Sequence, residues 1–245
     1  GASRHQDYEN SGNAVPDALQ IKDVALLKAM GGNFLRVAHY PQDPLILEAC
    51  DRVGILASVE IPVVNTITET AAFTQNCLNM QREMIKQHFN HPSIIIWAYM
   101  NEILLRPKFV NDKPRQQIYF DHVRQLAQKL DSLTRKEDPS RYTLLVNHGA
   151  WDIYNKVGLT KIPMIVGWNL YSGWYSGIPA DFAKFLDRHH KELPNTPFLV
   201  TEYGADADSR LHNVDPVRFD KTVEYTNQYH KYYWNAMRDR PFVAA

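Results

Sequence analysis

Short apolar runs alternate with longer amphipathic ones along this chain. The runs "NFLRVAH" (33–39), "GILASVEIP" (54–62), "SIIIWAYMNE" (93–102), "YTLLVNH" (142–148), "MIVGWNLY" (164–171) and "FLVTEYG" (198–204) are rich in Ile, Val, Leu and aromatic residues. Several lack in–out alternation, which is the pattern of parallel strands covered on both faces. Between them, helical spacing runs over 16–32, 43–54, the region 79–90, 115–133, 181–193 and a long stretch at 215–240. In the first of these Leu19, Val24, Leu27 and Met30 share a face, with Pro16 near the start and Gly31-Gly32 at the end. Strand–helix alternation with short connections predicts an α/β fold built on a parallel sheet.

Polar residues close nearly every strand: His39, Glu60, Glu102, His148, Tyr171 and Glu202. An open doubly wound sheet gathers such residues at one switch point, whereas a (β/α)8 barrel brings all its strand ends to one face. The Rossmann glycine fingerprint and the P-loop are both absent. Six clear strands, a fragment at "GAS" (1–3) and a stub at "PFVAA" (241–245) total eight. The predicted fold is therefore a (β/α)8 TIM barrel, truncated at strand 1 and strand 8. The chain opens on Gly1 without a signal-peptide pattern and ends in a hydrophobic stretch, and no linker or repeat divides it. A single catalytic barrel domain over 1–245, excised from a longer multidomain chain, is expected.

Charge and composition narrow the partners. The 27 basic and 27 acidic residues balance, so nothing here draws the chain to nucleic acid or an anionic membrane. The apolar runs fall short of a bilayer-spanning helix. Cys50 and Cys77 make neither a disulfide framework nor a metal site and read as small buried hydrophobes. His-Glu-x-x-His is absent and the histidines are scattered, which disfavours a metal-dependent hydrolase; no Gly-x-Ser-x-Gly elbow supports a serine hydrolase. Neither the compartment, cytoplasmic or periplasmic, nor the oligomeric state is written in these features.

Two carboxylates each end an apolar run: Glu102 after the third long strand run and Glu202 after the last. A retaining glycosidase needs such a pair, its carboxyl groups about 5–5.5 Å apart, one nucleophile and one proton donor. A proton donor benefits from an apolar wall, which "IIIWAYM" before Glu102 supplies. A nucleophile must stay ionised, and Arg36 near the end of strand 2 could favour that state. These surroundings assign Glu102 as acid/base and Glu202 as nucleophile.

"RVAHYP" (36–41), "HPSIIIWAYMNE" (91–102), "GWNLYSGWY" (167–175) and "TEYGAD" (201–206) resemble the catalytic barrel of glycoside hydrolase family 2, as does "GASRHQDYE" (1–9) at a strand 1 exit. The resemblance implies Glu102 as acid/base and Glu202 as nucleophile of an exo-acting double displacement. It implies that Asn101 bonds the sugar 2-hydroxyl and that Tyr171 orients the nucleophile. Arg36, His39 and His5 would line the sugar subsite, and Asp7 would meet a ring hydroxyl. Trp168, Trp174 and Tyr175 are candidates either to stack on sugar faces or to pack; Trp97 reads as core. Glu60 stands between pocket wall and buried ion pair. No metal or organic cofactor is required, although some relatives hold a magnesium ion.

The resemblance leaves the sugar to finer features. Bacterial β-galactosidases carry a His three residues after the nucleophile, where this chain has Ala205. "NLYSGWY" and "TEYGADADSRLH" look closer to the β-glucuronidase pattern, and the Asn-x-Lys pair that clamps a glucuronide carboxylate falls after strand 8. On base rate alone the expected activity is β-galactosidase acting on a β-linked glycoside or oligosaccharide, with β-glucuronidase or β-mannosidase as alternatives. A carbohydrate-binding barrel without turnover is the alternative of another class. Upstream β-sandwich domains and a downstream strand are expected in the parent chain, so the segment alone should turn over little substrate.

Overall fold

In the computed structural model, which describes residues 1–243, strands and helices alternate as the hydrophobic pattern predicts. The strands are β1 (Ala2–Arg4), β2 (Phe34–Val37), β3 (Leu56–Glu60), β4 (Ile94–Asn101), β5 (Tyr142–His148), β6 (Ile165–Asn169) and β7 (Phe198–Glu202). The helices are α1 (Asp17–Ala29), α2 (Pro44–Val53), α3 (Ala71–His88), α4 (Lys113–Glu137), α5 (Trp151–Val157), α6 (Ala180–Glu192) and α7 (Val223–Arg238). Strand order in the sheet is chain order, β1 to β7. The chain divides into two compact units, Gly1–Val166 and Gly167–Ala245.

In the first unit the strands from β1 to β5 pair in parallel. Arg36 sits level with Ser3 on one side and Ser58 on the other, and Glu60 is level with Ala98. Parallel pairing demands cover on both faces, and β4 has it: Ile96 to Met100 are all at most 2 % exposed. Between Ala98 and Asn101 the register to β5 slips, a bulge that bends β4 just before Asn101. Below the sheet, Trp97 Nε1–H donates to Asp138 Oδ2 at 2.9 Å, and Arg141 reaches the same oxygen at 2.7 Å. Burial raises the Asp138 pKa, but the Ser140, Trp97 and Arg141 hydrogen bonds outweigh it and hold the carboxyl at about 2.

Sequence-coded caps set the helix limits. Asp43, Thr70, Asp112 and Thr222 accept from the backbone N–H of Leu45, Phe73, Arg115 and Tyr225 at the starts of α2, α3, α4 and α7. Each such cap is worth about 1 kcal/mol. Gly54 ends α2 at φ 71°, a left-handed position open to glycine at little cost.

Several expectations are corrected. Met30 does not join the buried face of α1: the helix stops at Ala29, Met30 is 70 % exposed, and Gln20 takes the inner position, donating to Val15 O. The stretch 215–222 is not helical; Phe219 and Lys221 have positive φ, and Thr222 caps α7 only after them. Helix α3 begins eight residues before the predicted 79, at Ala71, and the seven-residue α5 was not predicted. The proposed strand at "PFVAA" does not form over Pro241–Val243, and Ala244 and Ala245 lie outside the described residues.

Candidate active site

Strand ends of the first unit carry a buried polar cluster. Arg36 on β2 is 2 % exposed and Glu60, the last residue of β3, is 1 % exposed. The guanidinium grips the carboxylate through two bonds, Nε to Oε2 at 3.0 Å and Nη2 to Oε1 at 2.9 Å. Burial pushes the Glu60 pKa up, yet the Arg36 charge and the His39 hydrogen bond outweigh it and the net direction is down. Glu60 is thus the anion of a buried ion pair. His39 Nδ1–H donates to Glu60 Oε1 at 2.7 Å, which assigns the ring's tautomer. Arg36 Nη2 also donates to Asn101 Oδ1 at 2.9 Å, so the amide of Asn101 is oriented with its oxygen on the arginine. Asn101 is itself buried.

His5 joins through the backbone, Nδ1–H donating to Ala38 O at 2.9 Å, and its ring lies 4.9 Å from that of His39. Asp7 stands on the exposed loop two residues further on, where its N–H bonds to His5 O.

Past the β4 bulge the backbone turns sharply. Asn101 N–H bonds to Val63 O at 2.9 Å, and Glu102 N–H bonds to Val146 O on β5 at 2.8 Å. Glu102 occupies the left-handed region at φ 49°, a conformation that costs a non-glycine residue about 1–3 kcal/mol. Ile103 and Leu104 behind it are buried. Leu104 N–H donates to Tyr154 Oη at 3.3 Å, and that hydroxyl lies 2.8 Å from His148 Nδ1. Burial lowers the His148 pKa to about 4, so its neutral ring accepts the tyrosine proton at ordinary pH. Tyr154 was not foreseen; it supports the turn that holds Glu102, and its short helix carried too little periodicity to be read.

In the second unit Glu202 ends β7 and Tyr171 follows β6. Tyr171 Oη donates to Glu202 Oε2 at 2.9 Å. Leu170 N–H bonds to Glu202 O at 2.8 Å, and Thr201 Oγ1 donates to Asn169 Oδ1 at 2.7 Å, so adjoining residues of β6 and β7 are locked together. Trp174, a candidate to stack on a sugar, is only 2 % exposed and packs against Phe219 and Tyr225; its ring is part of the core. Tyr175 is 65 % exposed, with its ring 4.9 Å from that of Tyr171. Trp168 and Trp97 are both fully buried packing residues.

Among the described residues no group of three or more His, Cys, Asp and Glu side chains is placed to hold a metal ion. No helix among them is long and apolar enough to cross a membrane.

The family model described as "Glycosyl hydrolases family 2, TIM barrel domain" matches residues 1–240. A β-glucuronidase of Bacteroides fragilis is 34 % identical over 99 % of this chain and 34 % of its own length. Two solved structures of Bacteroides uniformis β-glucuronidase superpose with a TM-score of 0.95 at 42 % identity, covering 99 % of this chain and 29 % of theirs. One of them is covalently bound to cyclophellitol-6-carboxylate aziridine. A putative β-galactosidase of Bacteroides fragilis superposes with a TM-score of 0.86 at 30 % identity, over 99 % and 34 %. The chain thus spans about a third of the length of these relatives.

Proposed function

The chain belongs to the family 2 glycosyl hydrolases as their TIM barrel domain, and from that premise we propose that it carries the catalytic residues of a retaining exo-β-glycosidase, most closely a β-glucuronidase. The observation that carries the reaction type is Glu202 at the end of β7 with the Tyr171 hydroxyl aimed at one carboxylate oxygen. The bond holds one oxygen of the carboxylate. In the first half-reaction the Glu202 carboxylate attacks the anomeric carbon, while Glu102 gives its proton to the leaving glycosidic oxygen. In the second, Glu102 takes a proton from water, which displaces Glu202 and releases the sugar with retained configuration.

Asn101 meets the 2-hydroxyl, a contact that strengthens as the ring flattens toward the oxocarbenium-like transition state. The Arg36–Glu60–His39 cluster holds Asn101; His39, His5 and Asp7 are the residues proposed to meet the sugar ring, and Tyr175, 65 % exposed, is the candidate to stack on it. Two carboxylates and water complete the atom balance, so neither metal nor organic cofactor enters a step, and EDTA should leave turnover unchanged. The domains expected elsewhere in the parent protein would complete the pocket.

For the sugar, uronate is favoured over galactose by the relatives: those at 34 % and 42 % identity are named β-glucuronidases, and one is bound covalently to a reagent bearing a 6-carboxylate. The preference for galactose rested on base rate, with no residue behind it, and Ala205 already stood against it. β-Galactosidase is the second reading, supported by the relative of that name. The test is a panel of p-nitrophenyl β-glycosides with the full-length protein. A kcat/KM for the glucuronide well above those for galactoside and mannoside is expected; preference for a neutral sugar would overturn the uronate assignment. Glu202→Gly should lose turnover and regain it with azide as the α-glycosyl azide, and a variant that stays active without azide would remove Glu202 from the nucleophile's role.

A further inference from the structure

Helix α7 carries Tyr225, Tyr229 and Tyr233 at successive intervals of four, a spacing that lines them along one helix face. The outer two hydroxyls both go to backbone carbonyls of the loop that follows Tyr171. Tyr225 Oη donates to Gly173 O, and Tyr233 Oη donates to Ser172 O at 2.9 Å. The loop has little slack of its own. Trp174 N–H bonds back to Tyr171 O at 2.9 Å and Gly173 N–H to Ser176 O at 2.7 Å. Gly173 sits at φ 89°, where an added Cβ would meet the Pro179 ring at 2.6 Å. The clamp is itself braced: Tyr233 stacks on Phe182 at 3.8 Å and on Tyr203, next to Glu202, at 5.0 Å and 7°.

We infer that Tyr225 and Tyr233 are positioning residues for the reaction: by pinning the 172–173 carbonyls they set where Tyr171 stands, and through Tyr171 the orientation of Glu202. The inference rests on the reading of Glu202 as nucleophile. Both hydroxyls are turned to backbone carbonyls. Each acts on carbonyls one and two residues past Tyr171, and a displacement of about 1 Å at a reacting group is enough to cost about a hundredfold in rate.

The test is a cycle of variants in the full-length enzyme: Tyr225→Phe, Tyr233→Phe and their pair, each with Tyr171 intact and with Tyr171→Phe. With Tyr171 intact, each single change should lower kcat for the glycosylation step by about tenfold and the pair by about a hundredfold, with KM little altered. In the Tyr171→Phe background the same changes should cost less than about twofold, because the group they position is gone. Equal losses in both backgrounds would overturn the inference and mark the tyrosines as structural supports; so would no loss in either. Phe182→Leu loosens the same stack without removing a hydroxyl, and should lower Tm while leaving the ratio between the two Tyr171 backgrounds unchanged. Should Tyr233→Phe fail to fold, Tyr225→Phe, at a less buried position, carries the cycle alone. Azide rescue of Glu202→Gly separates the two claims: rescue with an additive cycle sinks the clamp alone, whereas a Glu202→Gly variant active without azide sinks the nucleophile reading.

Discussion

The two carboxylates are held by opposite devices. Glu102 is placed by its backbone: a bulged strand, a left-handed φ of 49° and N–H bonds from the Asn101-Glu102 pair to Val63 O and Val146 O. Glu202 ends a regular five-residue strand and is placed at its side chain, by the Tyr171 hydroxyl. The difference suits the proposed chemistry. A group that must give a proton and later take one back has to keep its place while its charge changes, and covalent geometry does that irrespective of charge. A group that must attack along one line has to keep one oxygen's orientation, and a directed O–H does that. Strain at Glu102 is therefore part of placement, made tolerable by the buried Ile103 and Leu104 that follow it.

The largest effect that can break this comparison is a split by leaving group. Glu202→Gln replaces the proposed nucleophilic carboxylate with a neutral amide and should lower kcat on the order of 10⁵-fold for every aglycone. Glu102→Gln removes only proton transfer, worth about 10²–10⁴-fold, and should cost far less with a dinitrophenyl leaving group that departs unprotonated. Equal losses for both variants across a series of leaving groups would show that the two roles are not divided in this way.

Next in size is the ion pair behind Asn101. Glu60→Gln strands the Arg36 guanidinium in a site 2 % exposed to water, and breaking a buried pair on one side costs about 3–5 kcal/mol. Thermal unfolding should fall by about 10 °C for a chain of this length. The change also loosens the arginine that orients Asn101, so kcat should fall along with Tm. A Glu60→Gln enzyme with unchanged Tm would mean that Arg36 keeps its charge satisfied elsewhere.

What the sequence showed and what it hid divides along the same line. Asn101-Glu102, Tyr171 and Glu202 stood out because the proposed chemistry needs fixed residue types at the ends of apolar runs. The strands were legible for the same reason, since burial on both faces leaves little choice but Val, Ile, Leu and aromatics. The supports were hidden. Tyr154 lies on a seven-residue helix too short for periodicity, and Tyr225 and Tyr233 merged into one long helical pattern over 215–240 that the positive φ values at Phe219 and Lys221 interrupt. Trp174 stayed open between stacking and packing because an aromatic beside a site looks alike whether it faces substrate or, as here, Phe219 and Tyr225. Sequence points to candidate reacting groups; which neighbour holds each of them depends on contacts made far along the chain.

A smaller effect separates the ends by pH. His148, whose ring takes the Tyr154 proton behind Glu102, is held by burial at about 4, below the ordinary 6.5. Between those values the unfolded chain binds a proton that the folded chain refuses, so stability should fall as pH drops from about 6.5 to about 4 and level off below. His148→Gln should flatten that segment of a Tm–pH curve. Asp138 works at lower pH: its contribution is full above the ordinary 3.8 and is lost as pH falls through about 2. An unchanged slope between pH 4 and 6.5 in His148→Gln would assign the acid sensitivity to other groups.

The smallest expected change is at the middle of the tyrosine row and runs in the stabilising direction. Tyr229 is 2 % exposed, and among the described residues its hydroxyl has no partner in hydrogen-bonding geometry. The neighbouring Tyr233 hydroxyl already directs its proton to Ser172 O. Burial drives the Tyr229 pKa far upward, so the group stays neutral and its cost is that of a desolvated hydroxyl. A buried donor left unmade costs about 1–3 kcal/mol, whereas the ring packs 4.4 Å from Tyr233 whether or not the oxygen is present. Tyr229→Phe should therefore raise Tm by a few degrees and leave the cycle between Tyr171 and its two clamping tyrosines intact. A fall in Tm would mean that the hydroxyl does bond to Tyr233, making the row one continuous hydrogen-bonded chain rather than two separate clamps on either side of an apolar brace.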